Sequence, residues 1–185
     1  TYNMAAVSAD INILLFCRSV GFQIRRRTND GWAEPEYLNE RFKNEAKTME
    51  ANLASDGKAI VFTSKLSQNL FYNAADDMRE KDIYVTLRDE NGNWGAPINL
   101  GKQINTSGDE LSPFLAADGR TLYFATNGRP GYGSYDIFMS KRTGNSWTDW
   151  TEPVNLGPEI NTNSFDAYYT LSAAADYAIM VPYYA

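Results

Sequence analysis

Apolar and polar residues alternate along this chain in short runs, without the three-and-four spacing of an amphipathic helix. The segment SPFLAADGRTLYFATN, residues 112–127, shows the unit most plainly: a mixed run, an Asp-Gly pair, then a run of β-branched and aromatic residues. Asp118-Gly119 supplies the positive φ angles that a tight hairpin needs, which predicts two paired strands joined by a two-residue turn. NLASDGKAIVFTSK at 52–65 repeats the pattern around Asp56-Gly57, while VSADINILLFCRS at 7–19 and TLSAAADYAIMVPYY at 170–184 are diverged copies. A third apolar segment follows, Asp82-Ile83-Tyr84-Val85 and Asp136-Ile137-Phe138-Met139, with Gln23-Ile24 as a poorer counterpart. A polar turn, marked once by Asn91-Gly92, then leads into Trp-x-x-Pro: Trp32 to Pro35, Trp94 to Pro97 and Trp150 to Pro153. Ile98-Asn99-Leu100-Gly101 and Val154-Asn155-Leu156-Gly157 echo each other after the Pro and complete a fourth strand.

Self-similarity at intervals of about fifty to sixty residues marks a repeat architecture, and four short strands joined as a meander form the blade of a β-propeller. The expected fold is therefore all-β, a propeller of four-stranded antiparallel blades. About three and a half blades are expected, as units near 1–49, 50–110, 111–166 and 167–185 of a single domain. Asn44 to Ala51 is predicted to form no more than one helical turn. An open arc would leave strand edges and apolar faces uncovered, so the expectation is a segment of a longer chain.

A net charge of −6 argues against nucleic acid as a partner. Arg25-Arg26-Arg27 is the one basic run; on a strand it divides between two faces and reads as a solvated strand edge, not a phosphate site. The chain has no His, which removes the commonest general base, the Ser-His-Asp nucleophile and the commonest metal ligand together. Cys17, the single thiol, lies in the apolar run Leu14-Leu15-Phe16-Cys17 and reads as a small core residue.

Carboxylates remain. Asp109-Glu110 with Asp166 suggests the facing pair of a glycosidase, yet these residues hold matching places at the start of successive blades. Asp82 and Asp136 likewise repeat at the start of the third strand, where an Asp caps a turn by accepting backbone N–H bonds. Repetition assigns both sets to structure. Asp89-Glu90-Asn91-Gly92-Asn93 lacks the later Glu of a calcium loop and reads as a hairpin turn. Trp94 and Trp150, ahead of Pro97 and Pro153, are expected in the outermost strand with their rings packed between blades. No catalytic, metal or cofactor residue is assigned, and no cofactor is expected.

In a meander the turns between strands one and two and between strands three and four share one face; the longer connections share the other. Those are Lys65 to Lys81, Asn127 to Tyr135, Glu40 to Lys47 and Gly101 to Glu110, and variable loops on a rigid frame are where recognition concentrates. The expected partner-binding residues are Leu70, Phe71 and Tyr72, an apolar cluster in a polar loop, and Arg129, Tyr132 and Tyr135.

INTSGDELSPFLAADGRTLYFATNGRPGYGSYDIF with WTEPVNLGPEINTNSFDAYYTLSAAADYA resembles the WD40-like Pro-Asp repeat propellers of Gram-negative cell envelopes. These include the TolB-like propeller and the propellers of OmpA-family lipoproteins. The resemblance covers residues 97–185 well, 50–96 fairly and 1–49 poorly, where Gly is missing after Asp10 and Gln23 replaces an Asp. It implies a non-catalytic, periplasmic or outer-membrane-associated scaffold that docks other envelope proteins, with peptidoglycan bound through a domain outside this segment. No transmembrane run is visible in this part. The alternative is a carbohydrate-binding or carbohydrate-active propeller, which predicts an acidic pocket confined to one blade.

Overall fold

The computed structural model describes residues 3–8, 10–18, 21–38, 50–66 and 80–183. They form fifteen strands in four antiparallel sheets, with no helix among the described residues. The first sheet contains β1 (Asn3–Val7), β2 (Ile13–Arg18), β3 (Gly21–Thr28), β4 (Gly31–Trp32) and β5 (Glu36–Tyr37). The second runs β6 (Ala51–Leu53), β7 (Ala59–Ser64), β8 (Asp82–Leu87), β9 (Ile98–Asn99), and the third β10 (Glu110–Leu115), β11 (Thr121–Thr126), β12 (Asp136–Lys141), β13 (Val154–Asn155). The fourth pairs β14 (Phe165–Leu171) with β15 (Ala178–Tyr183). Strand order follows chain order, as in a meander, and β4 and β5 pair with different stretches of β3, so the first sheet is the same blade with an extended tip. Of the segment 44–51, residues 44–49 lie outside the described residues and Ala51 opens β6.

The inner hairpins differ from the two-residue turn expected from Asp-Gly. Ala54 and Ala116 each accept a bond from the N–H three residues on, that of Gly57 or Gly119, at 2.9 Å, and only the glycines have positive φ, 67° and 65°. The loop is a type I turn closed by a left-handed glycine, and the Asp serves differently, with its carboxylate accepting the Lys58 or Arg120 N–H. Where Gly is missing, Ile11 and Ala175 occupy the same left-handed position, both with φ 57°. In those two blades a serine replaces the alanine: the Ser8 hydroxyl accepts the Ile13 N–H at 2.9 Å, and that of Ser172 accepts the Asp176 N–H at 3.2 Å. These local bonds offset the strain of a side chain at positive φ.

Sheets stack face to face. Ile13, Leu15, Cys17, Phe22 and Ile24 of the first sheet meet Leu53, Ile60, Phe62, Tyr84 and Trp94 of the second. Phe22 stands edge-on to Phe62, with ring centroids 5.1 Å apart. The alternate residues Val61, Ile83 and Val85 face the third sheet, meeting Leu122, Phe124, Phe138 and Trp150. Period-two alternation thus sends one set of side chains to each neighbouring blade, and β7, buried throughout, is apolar from Ala59 to Phe62 before ending in the buried polar pair Thr63 and Ser64. Trp94 and Trp150 therefore pack towards the preceding blade, while Trp32, with none before it among the described residues, is 38% exposed. The tryptophans lie outside the fourth strand expected to hold them: each makes a single bridge, to Arg88 or Arg142, and Pro97 and Pro153 immediately precede β9 and β13. The basic run is also placed differently. β3 lies between β2 and the β4–β5 pair, so Arg25 to Arg27 are not on an edge, and Arg26 pairs with Glu36 at 3.2 Å.

Candidate functional site

The face carrying the long connections is built on two copies of one hydrogen-bond network. In the third sheet, Asn161 inserts its amide against the main chain of Ile137: Oδ1 accepts the N–H at 2.8 Å and Nδ2 donates to the carbonyl at 3.0 Å. Nδ2 also donates to Asn155 Oδ1 at 2.8 Å, and Asn155 in turn donates to Asp136 at 3.0 Å. The second sheet repeats every link, with Asn105 on Ile83, then Asn99, then Asp82. Asn-Leu-Gly and Ile-Asn-Thr are thus a side-chain substitute for strand pairing at the start of β8 and β12.

Asp136 adds a turn. Its carboxylate accepts the N–H of Tyr132 at 2.5 Å and of Gly133 at 3.0 Å. Gly131 and Gly133 allow this approach, since a Cβ at either would meet the Asp136 carboxylate or the Ser164 main chain.

The carboxylates at the start of each inner strand lock the connection that precedes it. Glu110 accepts the Thr106 N–H at 3.1 Å and hydroxyl at 2.6 Å, and the Thr126 hydroxyl at 2.9 Å. Asp166 binds Thr162 in the same way, accepting its N–H at 2.6 Å. Burial pushes the Glu110 carboxyl up to about 8, against the hydrogen bonds from Thr106 and Thr126 and helped by the charge of Asp82. Asp109 accepts the Lys81 N–H at 2.7 Å and the Tyr135 hydroxyl at 3.1 Å, joining successive blades. Burial, then the Asp109 charge, raises both the Tyr135 phenol and the Glu80 carboxyl.

Of the expected contact residues, Arg129 is held by its neighbours. It donates to the Gln103 carbonyl at 2.6 Å and pairs with Glu152 at 3.1 Å, and Gln103 also bonds Glu152. Tyr135 packs on Phe165, with centroids 5.0 Å apart. Tyr132 is 52% exposed. Leu70, Phe71 and Tyr72 lie outside the described residues.

Two features escape the sequence reading. One is the Asn105 and Asn161 insertion, whose signal was the repeated Ile-Asn-Thr. The other is a polar group on the innermost strands: Glu50, Ser112 and Tyr168 meet across three blades, through Ser112 N–H to Glu50 at 2.5 Å and Tyr168 hydroxyl to Glu50 at 3.1 Å. Aligning the hairpins puts all three at one repeat position.

Cys17 is buried, and burial followed by the Glu50 charge pushes its thiol up to about 12. Native protein at pH 8 is expected to resist iodoacetamide over a period in which urea-unfolded protein is fully alkylated, as read by intact mass; equal rates would refute the buried placement.

Antiparallel four-stranded sheets in meander order, stacked face to face with their first strands innermost, define an arc of a TolB-like β-propeller. The structure is similar to TolB from Acinetobacter baumannii at 15% identity and a TM-score of 0.59, over 99% of this chain and 38% of that one. It also resembles a putative TolB from Agrobacterium tumefaciens at 14% identity and a TM-score of 0.48, over 97% and 69% of the two chains. No family model matches the sequence, and no curated protein does. No helix among the described residues is long and apolar enough to cross a membrane.

Proposed function

We propose that this chain is part of a non-catalytic scaffold of the cell envelope, periplasmic or outer-membrane-associated, whose long-connection face docks another envelope protein. The observation that carries this reading is the fate of the carboxylates. Those available for acid–base chemistry, Glu110, Asp166 and Asp136, each accept main-chain and side-chain bonds that hold one blade's connections in place. In the sequence, the connections between second and third strands differ in length and composition from blade to blade, as expected of a recognition surface on a rigid frame. The glycan-directed alternative calls for an acidic pocket in one blade, whereas Glu110 and Asp166 occupy equivalent positions in two. A peptidoglycan-binding domain elsewhere in a longer chain belongs to the same proposal, supported by the resemblance of residues 97–185.

Placing a photo-crosslinking amino acid at Tyr132 of the full-length protein in its native cells tests the reading. A discrete adduct with another envelope protein is expected from this position, and none from Ala117, exposed on the opposite face. No adduct from position 132, or equal adducts from both positions, would overturn it.

A further inference from the structure

β1, β6, β10 and β14 are the first strands of their blades and neighbour one another in turn, lining the propeller axis. Glu50, immediately before β6, Ser112 in β10 and Tyr168 in β14 hold one repeat position on that wall. The backbone repeats in two of the three blades: Ser112 has φ 49° and Tyr168 φ 58°, each inside a register shift of its inner strand. The side chains do not repeat. At Asn99 and Asn155, or Asn105 and Asn161, a shared structural task comes with a shared residue. Here a backbone strained at Ser112 and Tyr168, and regular at Glu50, presents a hydroxyl, a phenol and a carboxylate, the combination of strain and asymmetry expected where a site recognises something.

Among the described residues, the Glu50 carboxylate is held by neutral donors. Oε2 accepts the Ser112 N–H at 2.5 Å and its hydroxyl at 3.2 Å, and Oε1 accepts the Tyr168 hydroxyl at 3.1 Å. Among the described residues no Lys or Arg pairs with it. A carboxylate offers about four acceptor positions, so about one remains open on the Oε1 side. There Tyr168, 48% exposed, also presents an aromatic ring. An oriented carboxylate beside an accessible aromatic face suits an N–H-bearing organic cation, which gains a charge-assisted hydrogen bond and a ring contact together. It suits a hard metal ion poorly, because such ions want six or more oxygens and no group of three acidic, His or Cys ligands occurs among the described residues.

We infer that Glu50, Ser112 and Tyr168 form an axial receptor for a single ammonium or guanidinium group, presented by a lysine or arginine side chain of the docked partner. The source of the cation rests on the docking reading above; the chemistry of the site does not.

The test is a titration of the full-length protein, at constant ionic strength, with N-acetyl-lysine amide, N-acetyl-arginine amide and the uncharged N-acetyl-norleucine amide, followed by NMR at the Ser112 and Tyr168 amides. Saturable shifts with the two cations and none with norleucine are expected. Glu50→Gln, which keeps an oxygen acceptor for Ser112, is expected to weaken the cations by about tenfold. Tyr168→Phe, which keeps the ring and the Glu50 charge, is expected to retain most of the binding. Equal shifts with norleucine amide, no saturable shift with either cation, or unchanged affinity in Glu50→Gln would overturn the inference. Failure here with a successful crosslink from position 132 removes the axial site and leaves docking intact; cation binding without any crosslink does the reverse.

Discussion

Replacing Glu110 with Gln is expected to leave stability unchanged near pH 4 and to raise it increasingly as the pH climbs to 8. The wild-type carboxyl has a folded value of about 8 against 4.5 for the ordinary group, because burial disfavours its charge. Below 4.5 it is protonated in both states and contributes no pH-dependent cost. Between the two values the unfolded chain ionises while the native one keeps its proton. Stability is then lost with rising pH at about 1.4 kcal/mol per unit, on the order of 5 kcal/mol by pH 8. Gln removes that loss without emptying the site. Its oxygen takes the Thr106 N–H, and its amide donates to the Thr106 and Thr126 hydroxyl oxygens that now surround Glu110. Urea unfolding of both proteins between pH 4 and 9 checks this: the midpoints should diverge with pH, and parallel curves would mean that Glu110 is ionised in the native state.

Asn161→Ala is expected to cost about 2–5 kcal/mol. The loss comes from two buried main-chain groups, the N–H and carbonyl of Ile137, which would have no partner in a site where Asn161 itself is 2% exposed. The same change releases Asn155, which orients the Asp136 carboxylate. Asn161→Asp should also destabilise, since it keeps an acceptor for the Ile137 N–H but loses the donor for its carbonyl. Asn145→Ala, on the exposed outer turn, is the matched control and should change stability by no more than about 0.5 kcal/mol. Equal unfolding midpoints for Asn161→Ala and Asn145→Ala would show that water replaces the amide.

These two sites differ in how far they could be read from the residues. The matching places of Glu110 and Asp166 assigned them to structure, which the bonds to Thr106 and Thr162 agree with. That Glu110 is desolvated enough to hold its proton at neutral pH depends on the packing around it, to which Asp82 of the preceding blade adds its charge, and only the packed blades bring these together. Asn161 stands in a repeated Ile-Asn-Thr, but nothing local says that its amide reaches back 24 residues to the opening of β12. The turns show the same division. Asp-Gly located the two hairpins that carry it, yet the carboxylate's role as an acceptor, and that of Ser8 and Ser172 where Ile11 and Ala175 stand in place of glycine, follow from hydrogen bonds formed only once the strands are paired.

The sequence by itself determined the strands, their grouping into repeated meanders and the face on which the long connections lie. Those properties follow from period-two alternation and from glycine's access to positive φ, which act within a few residues. Tertiary structure decided which tryptophan is covered, which carboxylate is desolvated and which polar residues meet at the axis. Burial and charge depend on the neighbouring blade, and its contribution arrives from far along the chain: Ser112 lies 62 residues from Glu50, and Tyr168 lies 118.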